Sequence, residues 1–584
     1  MVGEDANPEF AAAVARIDEQ SKVARANWFG LLAFLSFVGV SLLAVEDADF
    51  FIASRQVQLP LIGVAIPTDA FFWFAPLLAA ALYVYLHIHL TKLWRHLVTA
   101  RRQFGGQAVH DAVLPWLVND LVLTARGEGA AERHPISTLS NITTFVLVWL
   151  AGPLVLAGFW WRSMPAHDEW MTLFIVLCLV IALNAGTRSW RRFHALIRSG
   201  KDAEPGIGRR IVGTSFPVAL VLVSWLRTEG GFEHYRCDPW EVCPDPAAWT
   251  ALRDRVQLAT IDLVGVEFTP RPADWRTPEV AQRSFMIGWC AQRNLPLEVC
   301  NPIPADDIEG LRLTREARAN WCQLRSIGPV ECRARFVGVE DAFADDFWRE
   351  RTAWRSALPS IDLQHADLRR ADLERAFLPN SDLTHARLKH TSFTGAILEG
   401  ANLKGLRPRY VNFVNARLEQ VDLEGATFEG VPMRGVHMDR ADLLDARFTE
   451  GFASNADFSG ALLSGTRFRN INLDGARFDG SLLQGTLFSD AVLTLTSWTG
   501  ADANKLQLEA VDLDNADMAG LTSPERLTAR RVLANADARL PESITAVDCF
   551  ATRPKAGSFN MVFVRMCGSD RTPRRVGQIP PNAQ

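Results

Sequence analysis

Leu363, Leu368, Leu373, Leu378 and Leu383 stand five residues apart, and the spacing never slips for the next 135 residues. Thirty-two consecutive fifth positions run from 363 to 518, and only Pro408, Ala453 and Ala503 are not large apolar residues. No helix uses such a pattern, because five steps leave neighbours about 140° apart on the helix surface. A single strand does not use it either, because an odd step throws successive side chains onto opposite faces. A strict period that matches neither geometry predicts a repeat architecture. In nearly every unit the residue two before the large one is small or β-branched (Ala366, Ala371, Ala376), and the one just before is often Asp or Asn (Asp367, Asp372, Asn402). One large and one small position point inward, and three are polar.

The words "ADLRRADLERA", "GANLKG", "VDLEGATFEG" and "INLDGARFDG" resemble the pentapeptide repeat, A-[DN]-[LF]-x-x. The resemblance covers about 160 of the 584 residues and implies an all-β, right-handed quadrilateral β-helix with four pentapeptides per coil. Residues twenty apart then stack on one side of a square, about 4.8 Å from coil to coil, and eight coils make a rod of roughly 38 Å. The expected core is Leu363, Leu368, Leu373, Leu383, Phe428, Leu443, Phe448, Phe458, Phe468, Phe478, Phe488 and Trp498, leucine-lined at first and aromatic later. Such an aromatic column is read as packing in a filled interior rather than as a ligand groove. Pro408 lacks a backbone donor, so a local bulge or bend is expected there.

The N-terminal third is of another kind. No charged residue occurs in 26–45, 70–91, 135–161 or 170–187. Bilayer crossing takes about 20 apolar residues, so transmembrane helices are expected at about 26–45, 70–91, 142–161 and 170–187. A fifth is expected at 211–226, short at 16 residues but flanked by Arg209, Arg210 and Arg227. Lys and Arg number 3, 1, 6, 1 and 7 in the successive segments between them. This alternation predicts a multi-pass membrane protein with a cytoplasmic N-terminus, and five crossings put everything after Leu226 outside. "RQVQLPLIGVAIPTDAFFWFAPLLAAALYVYLHIHLTKLW" at 55–94 and "LPWLVNDLVL" at 114–123 resemble the membrane module found ahead of pentapeptide repeats in some bacterial proteins. That resemblance implies location in a bacterial inner membrane, with "VQLPLIGVAIP" as an outer hairpin, and it implies no activity.

Eight of the nine cysteines lie past Leu226: Cys237, Cys243, Cys290, Cys300, Cys322, Cys332, Cys549 and Cys567. "WCAQRNLPLEVC" at 289–300 and "WCQLRSIGPVEC" at 321–332 share one pattern, read as a duplicated small hairpin with each copy stapled locally. An even set on one side of the membrane favours disulfides in an oxidising compartment. Free thiols and a metal are the other readings, although zinc sites prefer C-x2–4-C with histidines. "TIDLVGVEF" at 260–268 carries two units in pentapeptide spacing, and "SIDL" at 360–363 resumes the same words. The β-helix is therefore expected to start at 261 and to be interrupted by an insertion of about 90 residues. The domain reading is a leader at 1–25, a membrane module at 26–226, a cysteine-bearing insertion at 227–360 and repeats at 361–520. Beyond these, 521–567 is expected to hold a capping helix, from "SPERLTARRVLANA" at 523–536, and terminal strands, and 568–584 a disordered tail.

No P-loop, dinucleotide fingerprint, nucleophile elbow or zinc-protease motif occurs. No catalytic, cofactor or metal residue is assigned. His87 and His89 sit in an apolar helix without acidic partners; interfacial packing is the plain reading, and an ion path is the sharper one. His365 and His385 fall one coil apart. The expected partners are the bilayer and a protein bound to the rod. Nucleic acid is not expected, since 361–520 holds 16 basic and 23 acidic residues, a net −7. The leading reading is a non-enzymatic membrane-anchored scaffold. The other is a transport or sensing component in which the helices are the working part.

Overall fold

The computed structural model describes residues 8–199, 261–300, 308–408 and 410–547, apart from short breaks at 53–54, 60–63, 100–102, 105–106, 109–111, 114–115 and 126–134. Two units, Met1–Asp262 and Leu263–Gln584, each have their own core.

The first unit is built on four helical segments, Phe10–Ala44, Thr68–Thr99, Leu139–Ala166 and Glu169–Arg198, each long and apolar enough to cross a membrane. Trp28, Leu31, Leu35, Leu86, Leu90, Trp94 and Leu156 meet in the interior. The outer surface is apolar as well, with Leu43, Phe74, Leu154 and Leu177 bare. A helix bundle made for water turns polar faces outward; this one suits lipid on both sides of its helices. Its closest approach is at Tyr83. A Cβ at Gly152 would come within 2.4 Å of the ring, and one at Gly186 within 2.6 Å of the hydroxyl. Gln56–Leu59 and Val64–Pro67 pair antiparallel. The fifth apolar stretch at 211–226 lies outside the described residues, as do Cys237, Cys243, Cys549, Cys567 and the tail.

The second unit is a parallel β-solenoid. Asp362 bridges to Asp382, Asp382 to Asn402, and the line continues in 20-residue steps through Asp422, Asp442, Leu462, Leu482 and Asp502 to Thr522. Each position of the repeat has its own work. The large residue donates its N–H to the next coil, as Leu363 does to the Asp382 carbonyl at 2.9 Å. The next two residues turn the corner, and Ala366 N–H closes the turn on the Leu363 carbonyl at 3.1 Å. The second of these, His365, has φ +57°, which is a type II turn. The Asp before the large residue ties the turn, as Asp382 Oδ1 accepts from the Thr384 N–H at 2.9 Å. Small residues fill the inner corners, and polar ones bond back into the coil, as Thr391 donates to the Leu368 carbonyl at 2.7 Å, except that the Ser381 hydroxyl is buried without a partner among the described residues.

Leu363, Leu368, Leu373, Leu383, Leu443 and the whole aromatic set are buried. Phe428, Phe448, Phe468 and Phe488 stack at 4.8–4.9 Å. Phe458, Phe478 and Trp498 form a second stack, at 5.3 and 4.4 Å. The two columns meet edge to face, as Phe478 meets Phe488 at 5.5 Å. The interior is filled. At Pro408 the ladder is interrupted: among the described residues, no bridge joins Arg387 to Arg407 or Arg407 to Thr427.

Residues 263–268 belong to the solenoid. Leu263 N–H bonds the Asp372 carbonyl at 2.8 Å and Phe268 N–H the Phe377 carbonyl at 3.1 Å. What interrupts the coil is helical: Pro278–Gln292, Leu297–Cys300, Ile308–Gln323 and Pro329–Ser356. Cys290 is joined to Cys300 and Cys322 to Cys332, so each repeated sequence is a helix–turn–helix closed by its own bond.

The far end corrects the expected capping helix at 523–536. Pro524–Arg526 is a single 3-10 turn, and Thr528–Leu533 is a strand. Ser523 has φ +53° and caps nothing with its side chain. The strand pairs in parallel with Gln507–Asp512, and Ala546–Val547 pairs with it in turn. The physical reason is the open edge. A strand satisfies the row of donors and acceptors left by the preceding coil and still buries Val532 and Leu533, whereas a helix satisfies only itself.

Candidate interaction surfaces of the β-helix

The square cross-section separates two sides that differ sharply. One side carries the column Leu378, Leu398, Leu418, Met438, and the inserted helices cover it. Arg351 forks onto Glu399, with Nε to Oε1 at 2.8 Å and Nη2 to Oε2 at 2.7 Å. Arg355 Nη1 donates to Gln420 Oε1 at 2.6 Å, and its backbone carbonyl accepts from Asn380 at 2.8 Å. The Arg355 guanidinium lies directly on Gly400, where a Cβ would come within 2.3 Å of it and φ is +69°. Any side chain at that corner would displace the guanidinium. Further along, Arg417 donates to Glu279 at 2.7 Å and Arg440 to Asp345 at 2.8 Å.

Glu399 and Glu419 are both buried in this seam. Glu419 Oε1 lies 2.8 Å from Arg417 Nη2, yet neither of its oxygens has a well-aligned hydrogen bond. Burial pushes its carboxyl up to about 8, outweighing the attraction of Arg417. Arg417 is also raised, but to the opposite effect on charge, since Glu419 and Glu279 hold it in its charged form against burial. The favoured charge states differ because Arg417 has a second, well-formed partner in Glu279 and Glu419 has none among the described residues. For Glu279 burial works upward, but the Arg417 bond and charge hold the carboxyl below its usual value.

Glu279, Glu419 and His437 are close enough in ligand atoms and right in type to hold a metal ion. The cation between the two carboxylates is the Arg417 guanidinium, 2.7 Å from one and 2.8 Å from the other. The arrangement is an ion-paired seam, and its chemistry is docking. The candidate histidines on the neighbouring side, His365 and His385, stack ring on ring at 5.1 Å. The seam residues escaped sequence reasoning in part. Glu399, Glu419 and Asp439 are twenty apart, so the period alone stacks them. The arginine partners of Glu399, Arg351 and Arg355, come from a helix about 50 residues away, and no spacing announces them.

The opposite side carries the column Leu368, Leu388, Pro408, Phe428, Phe448, Phe468. It has no covering element among the described residues. Arg407, Arg447, Arg467 and Arg469 are exposed there. Arg447 sits directly in register with Arg467. A shallow recess of about 300 Å³ opens beside the ladder break, lined by Arg407, Pro408, Thr427, Glu429 and Arg447.

In the first unit a polar group of the interior links three helices. Tyr83 donates to the Trp149 carbonyl at 2.9 Å, Trp149 Nε1 donates to Ser189 Oγ at 3.1 Å, and His87 Nδ1 is 2.7 Å from the same oxygen. Trp149 lies in a π-helical turn, Val146–Leu150. Such turns recur at functional sites.

Comparison with known families matches residues 361–405 to pentapeptide repeats and 409–478 to a pentapeptide repeat region. No curated protein matches the chain. Among solved structures, the chain is similar to HetL, a pentapeptide repeat protein involved in heterocyst differentiation regulation from the cyanobacterium Nostoc sp. strain PCC 7120. The identity is 27%, over 30% of this chain and 83% of that one, with a TM-score of 0.21. Full-length QnrB1, a plasmid-mediated fluoroquinolone resistance protein, matches at 17% identity over 27% and 93%, with a TM-score of 0.13. A pentapeptide repeat protein from the Arabidopsis thaliana thylakoid lumen matches at 20% over 19% and 60%, with a TM-score of 0.09.

Proposed function

This chain is a pentapeptide-repeat protein through residues 361–478, and on that premise we propose that it is a membrane-anchored scaffold whose β-helix presents a rigid side to a partner. The observation that carries this reading is the division of labour between opposite sides of the solenoid. One is sealed by its own inserted helices through Arg351, Arg355 and Arg417. The other has no covering element among the described residues, over a ladder broken only beside Pro408. A filled core with stacked aromatics makes that side stiff, which lowers the ordering cost of binding. The four apolar helices supply the anchor. The two disulfides and the alternation of basic segments support a periplasmic location for the β-helix, across a bacterial inner membrane.

Photo-crosslinking in cells tests the scaffold. A photoreactive residue placed at Arg469, on the bare side, yields a discrete adduct that disappears when Phe468→Asp breaks the core. If outward positions on every side of the solenoid give no adduct, the scaffold reading fails.

A second reading rests on the Tyr83–Trp149–Ser189–His87 group: a transport or sensing module whose working part is the helices. His87→Ala then abolishes a proton- or solute-linked signal in proteoliposomes while leaving the cross-linking pattern unchanged.

A further inference from the structure

We propose that the arginine-bearing side of the β-helix rests on a bilayer surface, binding the headgroups of anionic phospholipids. The inference builds on the membrane-anchored reading above. Eight of the 15 described basic residues of 361–520 fall in the segments of this one side between 367 and 470, against three acidic ones. The rod as a whole is net negative, so the positive charge is gathered on one side of four. Arg369 and Arg387 are tied to Asp367. Arg407, Arg447, Arg467 and Arg469 have no ion pair among the described residues.

Like charges in register on adjacent strands repel. Arg447 and Arg467 occupy just such a pair, and neither has an ion-pair partner within 4.0 Å among the described residues, although Glu429 lines the same recess as Arg447. A ligand that brings negative charge offsets the repulsion. The same side carries Tyr410, half exposed and stacked on His390 at 5.0 Å, and tyrosine favours the boundary between water and lipid headgroups.

Charge spacing selects the occupant. Strand neighbours on this side are fixed about 4.8 Å apart. An extended acidic peptide rises about 3.3 Å per residue, with alternate side chains turned away, so it falls out of step with the row. Headgroups in a fluid leaflet carry no fixed period and gather wherever the charge is. Helices of the same chain that cross a membrane also make lipid the polyanion at highest effective concentration. The side next to this one bears Asp362, Asp382, Asp422 and Asp442. That favours a flat surface meeting one side over a polymer wrapping two.

The test uses the full chain, reconstituted into nanodiscs of phosphatidylcholine alone or mixed with phosphatidylglycerol. Arginine modification by phenylglyoxal is followed residue by residue by mass spectrometry. Arg447, Arg467 and Arg469 are expected to react at least roughly threefold more slowly in the phosphatidylglycerol discs, with the difference lost at high salt. Arg434, exposed on a neighbouring side, reacts equally in both. In R447Q/R467Q/R469Q the lipid dependence of Arg407 disappears. Equal rates in the two discs overturn the proposal and leave the scaffold reading to its own cross-linking test. Protection by polyglutamate in neutral discs, without protection by phosphatidylglycerol, overturns it in favour of an acidic protein. A chain that does not co-elute with discs of either kind overturns the membrane reading and this one together.

Discussion

Glu419 is a carboxyl placed where water does not reach it, and its proton is the consequence. The folded chain holds that proton up to about pH 8, whereas an unperturbed glutamate releases it near 4.5. Its contribution to stability is therefore complete below pH 4.5 and is lost as pH rises through 8. Glu279 acts oppositely: its lowered value favours the fold above 4.5, and that benefit is lost in acid. Glu419→Gln is expected to raise stability by about 1–2 kcal/mol at pH 8 and by little at pH 5. Thermal unfolding in detergent at the two pH values measures it, and an equal effect at both sinks the assignment. The repeat also grades its own positions. Leu443→Asp or Phe468→Asp puts an unpaired charge into a sealed interior and is expected to cost several kcal/mol, whereas Arg447→Gln costs nothing measurable. By spacing, Asp457 is another outward, replaceable residue. The structure gives it the Ser459 N–H at 3.0 Å and Arg477 at 3.3 Å, so Asp457→Ala is expected to cost about 1 kcal/mol.

At the scale of elements, the inserted helices are held in two ways that fail differently. Each disulfide closes a loop of ten residues, and paired substitution of Cys290 and Cys300 by serine is expected to remove about 2–3 kcal/mol of local stability. Limited proteolysis between the two helices detects it, and non-reducing peptide mapping shows whether each pair is bonded as described. The seam is different. Arg351→Met leaves the Glu399 carboxylate buried without its fork and is expected to cost about 3–5 kcal/mol. The double change R351M/E399M recovers most of that loss, because both charges then go together. If the double variant is as unstable as the single one, the seam is held by packing and the ion pair is incidental. The solenoid's end follows the same logic of satisfied groups: Thr528–Leu533 continues the ladder as a strand.

At the scale of the whole molecule, topology decides what the β-helix can meet. The basic segments alternate 3, 1, 6, 1, 7 along the first 210 residues, and the proposed five crossings would put the solenoid outside the cytoplasm. The segment at 211–226 is the hinge of that count. As a helix its 16 residues would give roughly 24 Å against a hydrocarbon core of about 30 Å, so a crossing there would need its flanking arginines or local thinning to cover the difference. A reporter fused after Gln584 separates the alternatives. Alkaline phosphatase activity there is the expected result, and fluorescence from a reporter that matures only in the cytoplasm places the solenoid on the other side. A reporter inside Pro329–Ser356 would break a helix of the seam and is the wrong site.

The sequence by itself determined the solenoid, because a period of five with one large and one small inward residue fits neither a helix nor a single strand, and nearly every unit repeats the words of the pentapeptide repeat. It also determined the four apolar helices, since length and absence of charge are local properties, and the restart of the coil at 263–268, since the same words recur in the same spacing. Tertiary structure alone decided the rest. Arg351 meets Glu399 only because the inserted helices fold back over the side built on Leu398 and Leu418, and a contact between a helix and a solenoid carries no period. The inserted segment became helical, and 528–533 a strand, because the neighbouring element offered each a surface: an acidic groove to the first and an open edge to the second. The free arginines of the bare side are visible as a row only once the square has been closed, when residues twenty apart become neighbours about 4.8 Å from one another.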